Sequence, residues 1–160
     1  MNRPPAAVAV PLLVFLATLG MLTAWTVTGN AGTPARIVAA EARVLIPYGT
    51  ESTAAFFTLR NTGTADDVLT GVTGPPGYRA MLSRTADIGR NARRMEMAPA
   101  ATVPAGGALR MTPTGLDIML SPPPRLAPGD RLTFTLHFRD SPPLTVRARA
   151  TAPEGVAATR

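Results

Sequence analysis

One hundred and sixty residues with a net charge of +6 and no cysteine allow one ordinary domain and an anchoring segment. They exclude a disulfide framework, a zinc ribbon and a thiol nucleophile. All sixteen basic residues are arginine, read as codon bias beside abundant alanine and proline, and they are scattered along the chain.

Arg3 precedes an uncharged run from Pro4 to Pro34, most apolar from Ala6 to Val27. That run matches the about 20 residues a transmembrane helix needs and exceeds the roughly 7–15 of a signal-peptide core. Pro11 lies near its start, where a proline is tolerated, and Trp25 sits where an aromatic anchors at an interface. Arg3 on the short side favours a cytoplasmic N-terminus. Residues 1–28 are therefore read as a signal anchor, in preference to a cleaved signal peptide. The rest of the chain is then on the extracytoplasmic side of the cell membrane, held by a single pass.

Residues 29–35, rich in glycine and ending in Thr33-Pro34-Ala35, read as a linker. From Arg36 the pattern is strand-like up to Ala150. Ile37–Ile46 is β-branched and stops at Pro47. Ala54–Arg60 ends at the turn Asn61-Thr62-Gly63, and Asp67–Val72 runs into Pro75-Pro76-Gly77. Shorter strands are predicted over Tyr78–Thr85, Ala92–Met97, Ala108–Thr112 and Leu116–Leu120. The clearest is Arg131–Arg139, with Leu132, Phe134, Leu136 and Phe138 on one face and Thr133, Thr135 and His137 on the other. Leu144, Val146, Ala148 and Ala150 repeat the alternation. No amphipathic helix follows the first segment, and there is no internal repeat. Residues 151–160 read as a loose tail. Eight or nine short strands with turns between them predict an all-β, antiparallel sandwich or barrel over residues 36–150.

Period two also sorts the chemistry. On strands, Met81 shares a face with Ser83, Met95 with Met97, and Asp117 with Met119. Three strands can thus bring Met81, Met95, Met97 and Met119 together, and a cluster of thioethers suits Cu(I). The alternative for any one of them is a core methionine filling an irregular gap. Glu96, between Met95 and Met97, falls on the opposite face. The densest basic cluster, Arg90, Arg93 and Arg94, has no interleaved aromatics to stack on bases; it reads as a solvated loop, with no nucleic acid as partner. Asp66-Asp67 reads as turn chemistry. No Gly-x-Ser-x-Gly, paired histidines or phosphate-cradling loop is present, so no enzyme is expected.

The text from Ala42 to Ala150 resembles the PCuAC family of periplasmic copper chaperones. The resemblance is carried by Ala-Ala-Phe-Phe-Thr-Leu-Arg-Asn-Thr-Gly (54–63), Met-Leu-Ser-Arg-Thr (81–85), Met-Glu-Met-Ala-Pro (95–99), Val-Pro-Ala-Gly-Gly (103–107), Leu-Asp-Ile-Met-Leu (116–120) and Pro-Gly-Asp-Arg-Leu-Thr-Phe-Thr-Leu-His-Phe (128–138). It implies a cupredoxin-like, Greek-key sandwich. It also implies a Cu(I) motif of His, ten residues, Met, twenty-one residues, His, one residue, Met. Met95 and Met119 fall on the two methionines, separated from and flanking Asp117 as the motif requires. Asp117 stands at the second histidine. Ser83 stands at the first if the loop holds one extra residue, and Arg84 without a gap. Both histidines are thus replaced, leaving Met95, Met119, Met97 and Met81 as the expected metal donors and Asp117 and Ser83 as weaker ones. His137, on the outward face of its strand, is expected to face solvent.

Two functions remain open on the sequence. One is a copper chaperone-like protein that binds Cu(I) through thioethers and passes it to a copper-accepting or copper-donating membrane protein, such as a cytochrome oxidase copper centre. The other is a ligand-depleted relative serving as a non-metal binding module at the cell surface.

Overall fold

The computed structural model describes residues 6–28, 32–87 and 93–153. Arg3, linker residues 29–31, Arg90, Ala92 and the tail from residue 154 lie outside them, as do the side chains of Asp87 and Arg93. The chain divides into two units, Met1–Thr33 and Pro34–Arg160.

The first unit contains helix α1, Ala6–Val27, with no acidic residue in its first turn and no basic one in its last. Its 22 residues extend about 33 Å at 1.5 Å per residue, and it is long and apolar enough to cross a membrane. The hydroxyls of Thr18 and Thr23 donate to the carbonyls of Val14 and Leu19, at 2.8 and 2.7 Å. These threonine hydroxyls are thereby satisfied within the helix, as an apolar surrounding demands.

Among the described residues the regular elements of the second unit are all strands. Its elements are β1 (Ile37–Leu45), β2 (Thr53–Asn61), β3 (Asp67–Thr73), β4 (Arg79–Asp87), β5 (Arg93–Met97), β6 (Ala101–Val103), β7 (Ala108–Arg110), β8 (Leu116–Ser121), β9 (Arg131–Phe138) and β10 (Leu144–Thr151). They form one hydrogen-bonded sheet in the order β5-β4-β8-β2-β1-β10-β9-β3-β6, with β7 also paired to β2. The sheet curls on itself. Phe57 on β2 and Phe134 on β9 are separated by β1 and β10 in that order, yet their rings meet edge to face at 5.4 Å and 77°. Around them Leu59, Leu69, Ile118, Leu120 and Leu136 are fully buried. Such aromatic pairs add about 0.5–1.5 kcal/mol beyond the area they bury.

The alternation read in β9 and β10 is the one found. Phe134, Leu136, Val146, Ala148 and Ala150 point into the core while Thr133, Arg147 and Arg149 are exposed. Two features depart from the expectation. The pairing is antiparallel except for β1 with β10, which run parallel through Arg43↔Arg149, Val44↔Ala150 and Leu45↔Thr151. And β6, absent from the sequence reading, pairs with β3 through Asp67↔Val103. The three residues of β6, set between Pro99 and Pro104, are too few to display a period.

The turns carry more structure than their composition announced. Asn61, 1% exposed, accepts from the N–H of Arg36 and of Gly63 at 3.0 Å each and donates to the Ala65 carbonyl at 2.8 Å. Gly63 is required here, because a Cβ would collide with the Pro34 carbonyl. Asp67 was read as turn chemistry, and the structure corrects this. It opens β3 fully buried and accepts from the N–H groups of Val68, Asp140 and Ser141 at 2.7, 3.1 and 2.9 Å. Burial works to raise its pKa, but the Ser141 side chain and these three N–H groups outweigh it and hold the carboxyl below its ordinary range. The neighbouring Asp66 also reaches beyond its own turn, accepting from the N–H of Ala105, 39 residues on, at 2.7 Å.

Candidate metal site

Strand β4 lies between β5 and β8, and its register decides which side chains meet. Ser83 faces Met97 on one side and Asp117 on the other; Met81 faces Met119; Thr85 faces Met95. Paired residues and those two apart share a face. Met81, Ser83, Met95, Met97, Asp117 and Met119 therefore all stand on one face of the β5-β4-β8 ribbon. That face turns away from the core: Met119 pairs with Ala54, whereas Ile118 and Ala55, both 0% exposed, form the next pair. Directly opposed side chains start about 4.5–5.5 Å apart at Cβ and diagonal ones about 7–8 Å apart, a span that methionine side chains can bridge.

The ends of this patch differ. Met95 and Met97, on edge strand β5, are 53% and 76% exposed. They are neither core residues nor covered. Met81 and Met119 are half-buried. Ser83 and Asp117, at the centre, are each only 4% exposed. Among the described residues neither Ser83 Oγ nor Asp117 Oδ1 has a hydrogen-bond partner of acceptable geometry. Burial pushes the Asp117 carboxyl up, and the nearby Ser83 hydroxyl only partly opposes it.

The other assignments fall as follows. Arg84 lies on the opposite face, exposed and in register with Glu96, which is also exposed. Of the two positions the motif allowed for the first histidine, only Ser83 is thus on the methionine face. Met111 is a core residue, 4% exposed. His137 is remote: β2, β1 and β10 separate its strand from β8, and its Nε2 is hydrogen-bonded to Thr73 Oγ1 at 2.7 Å. Sequence reasoning missed the direct opposition of Ser83 and Asp117, because spacing along the chain does not disclose which strands are neighbours.

Among the described residues no three His, Cys, Asp or Glu side chains come together. The face instead offers thioether sulfur around one buried carboxylate oxygen and one hydroxyl oxygen that lack partners. That donor set fits a soft monovalent cation better than Zn²⁺ or Cu²⁺, which favour imidazole, thiolate or several oxygens. A +1 ion would also offset the Asp117 charge that burial disfavours.

Comparison with known proteins is consistent with this geometry. The LpqE-like family model, named for a lipoprotein, matches residues 26–150. Two solution structures of a protein from Deinococcus radiodurans, apo-DR1885 and CuI-DR1885, are 31% and 27% identical to the chain. They cover 77% and 79% of it and 84% of that chain in each case, with TM-scores of 0.56 and 0.59. A copper-bound PCuAC domain from PmoF2 is 20% identical, covering 76% of this chain and 98% of that one at a TM-score of 0.57, a likeness of fold. No curated protein matches the sequence.

Proposed function

Because the chain belongs to the LpqE-like family and has the PCuAC fold, we propose that it is a membrane-attached, extracytoplasmic copper chaperone-like protein. Its cargo is Cu(I), taken by Met95, Met97, Met81 and Met119 with Asp117 and Ser83 as oxygen donors. The observation that carries this reading is the shared outward face on which the register aligns Met97, Ser83 and Asp117 in one row and Met81 with Met119 in the next.

The chain's own residues divide the work. Exposed Met95 and Met97 meet the incoming ion and are the donors a partner can reach and replace. Half-buried Met81 and Met119 supply soft ligands in a drier place, where Asp117 adds negative charge. Thioethers favour Cu(I) and are poor ligands for Cu(II), so the cargo stays reduced. Release to a copper-accepting membrane protein, such as a cytochrome oxidase centre, proceeds by ligand exchange from the exposed side. Residues 1–28 hold the domain at the membrane in a single pass, with 29–35 as linker and 36–150 as the copper-handling domain.

The test is a competition titration of the purified full chain in neutral detergent against a chromophoric Cu(I) chelator. One Cu(I) bound per chain, with little Cu(II) binding, is the expected result. Failure to compete with even a weak chelator would overturn the reading and leave a non-metal binding module.

A further inference from the structure

The outward face of β2, β1, β10 and β9 carries an arrangement that copper handling does not use. Arg43 on β1 is in register with Phe56 on β2 and with Arg149 on β10; Arg149 is in turn opposite Arg131 on β9. One row across four strands thus reads Phe56, Arg43, Arg149, Arg131. Neighbouring strands are about 4.8 Å apart, and like charges directly opposite one another are destabilising. Among the described residues neither Arg149 nor Arg131 takes part in an ion pair.

A cavity of about 660 Å³ opens over this row. Its walls include Phe56, Leu45, Ala42 and Pro113, with Arg43 and Arg149 beside them and Glu41 as the one carboxylate. Phe56 is unusual for an outward-facing strand residue in being only 4% exposed. The Arg43 guanidinium carbon stands 5.4 Å from its ring centroid. The volume lies within the about 300–1,000 Å³ typical of small-molecule sites, which pair apolar walls with a few placed polar groups.

We propose that this cavity binds a monoalkyl phosphate, with the phosphate on Arg149 and Arg43 and the alkyl chain against Phe56, Leu45 and Pro113. Guanidinium forks match phosphate oxygens in pairs, and a phosphate beside Arg149 offsets the like charge of Arg131 opposite it. Glu41 disfavours a bare anion held by charge alone, so the apolar wall must contribute. The lining contains no sulfur and no imidazole, which separates this site from the methionine face. Phe56 and Met119 nonetheless share the outward face through Ala54, the partner of Met119 and two residues from Phe56.

The same head group occurs on soluble alkyl phosphates and on lysophospholipids, and titration calorimetry of the full chain in neutral maltoside distinguishes them. The probes are hexyl phosphate, oleoyl lysophosphatidate corrected for protein-free micelles, inorganic phosphate and hexanol. Hexyl phosphate is expected to bind one per chain, at least tenfold more tightly than inorganic phosphate or hexanol. Tighter binding of lysophosphatidate identifies a lipid as the source, and weaker binding a soluble ligand. Arg149→Gln should weaken hexyl phosphate at least tenfold and Arg131→Gln about threefold, both with unchanged circular dichroism, while Arg139→Gln, whose residue pairs with Asp140 elsewhere, should have no effect. Equal binding of inorganic phosphate, or no loss in Arg149→Gln, overturns the proposal. So does a chain ending at Pro153 that binds hexyl phosphate more than tenfold better, since the cavity would then be the seat of residues 154–160.

Discussion

Ser83 and Asp117 face each other across β4 and β8, both at 4% exposure, with an unpartnered oxygen on each among the described residues. Two short polar side chains thus stand among longer methionines on one face. A buried polar group without a partner costs about 1–3 kcal/mol. By the resemblance to the PCuAC motif, the cost falls where that motif has its two imidazoles.

Restoring those imidazoles should therefore rebuild a two-nitrogen, two-sulfur site. The double variant Ser83→His/Asp117→His is expected to bind Cu(I) at least tenfold more tightly than the parent, and to acquire Cu(II) binding that the parent lacks. Competition titrations with chelators for each oxidation state measure both. No gain with an unchanged circular dichroism spectrum would mean that the two positions do not aim at the space between Met95 and Met119.

The methionines should separate into two classes. Met95→Ala with Met119→Ala should abolish Ag(I) and Cu(I) binding and leave stability within about 1 kcal/mol, since exposed or half-buried side chains give up little on truncation. Met111→Ala should do the opposite, costing about 2–5 kcal/mol as a core cavity while Ag(I) affinity is unchanged. Urea denaturation and Ag(I) titration of the same samples provide the comparison.

Asp117 should make the copper-free protein lose stability with rising pH. Its folded-state pKa is raised by burial, so the folded form holds its proton more tightly than the unfolded chain does. The associated stability is fully present below the unfolded pKa of about 4 and is lost as pH climbs through the folded value. Asp117→Asn should remove that decline and stabilise the protein by about 1 kcal/mol at pH 7.5. Equal urea midpoints for the two proteins at pH 7.5 would refute this.

Asp67 should act with the opposite sign. Its folded pKa is lowered by hydrogen bonds that outweigh burial. Its contribution is present above the unfolded pKa and disappears as pH falls through the folded one. Asp67→Asn loses acceptor capacity facing Val68, Asp140 and Ser141 and should cost about 2–3 kcal/mol at pH 7. The difference should narrow on acidification toward pH 3, in urea titrations of parent and variant.

Protease added to intact cells should degrade the β unit, and carbonate washing should leave α1 in the membrane fraction. Recovery of a shortened, freely soluble form would instead mean that the first segment is cleaved.

Much of the β unit was legible because its strongest elements obey period two. Leu132, Phe134, Leu136 and Phe138 could face only one way, and Met95 and Met97 had to share a face that excludes Glu96. Strand neighbours were not legible. Nothing in the text near Ser83 records that Asp117 sits opposite it, because pairing is decided by closure of the whole sheet. Asp67 was misjudged for a related reason: its partners Asp140 and Ser141 are remote in sequence, and Gly-rich surroundings suggest a local turn. The exposure of Met95 and Met97 was equally hidden, since a sequence does not say which strand will be an edge.

The parallel pairing of β1 with β10 gives the unit an order of assembly. β1 is the first strand and already has β2 on one side; its other edge stays open until the last strand arrives. A chain whose β unit crosses a membrane with β1 leading would carry that open edge outward while β10 is still behind it. An open edge is a template for pairing with other chains, and contacts so distant in sequence form slowly. The latest strand is therefore the guard of the earliest, and a chain stopped before Leu144 should emerge as an aggregating or degraded product, even with every methionine of the β5-β4-β8 face already made.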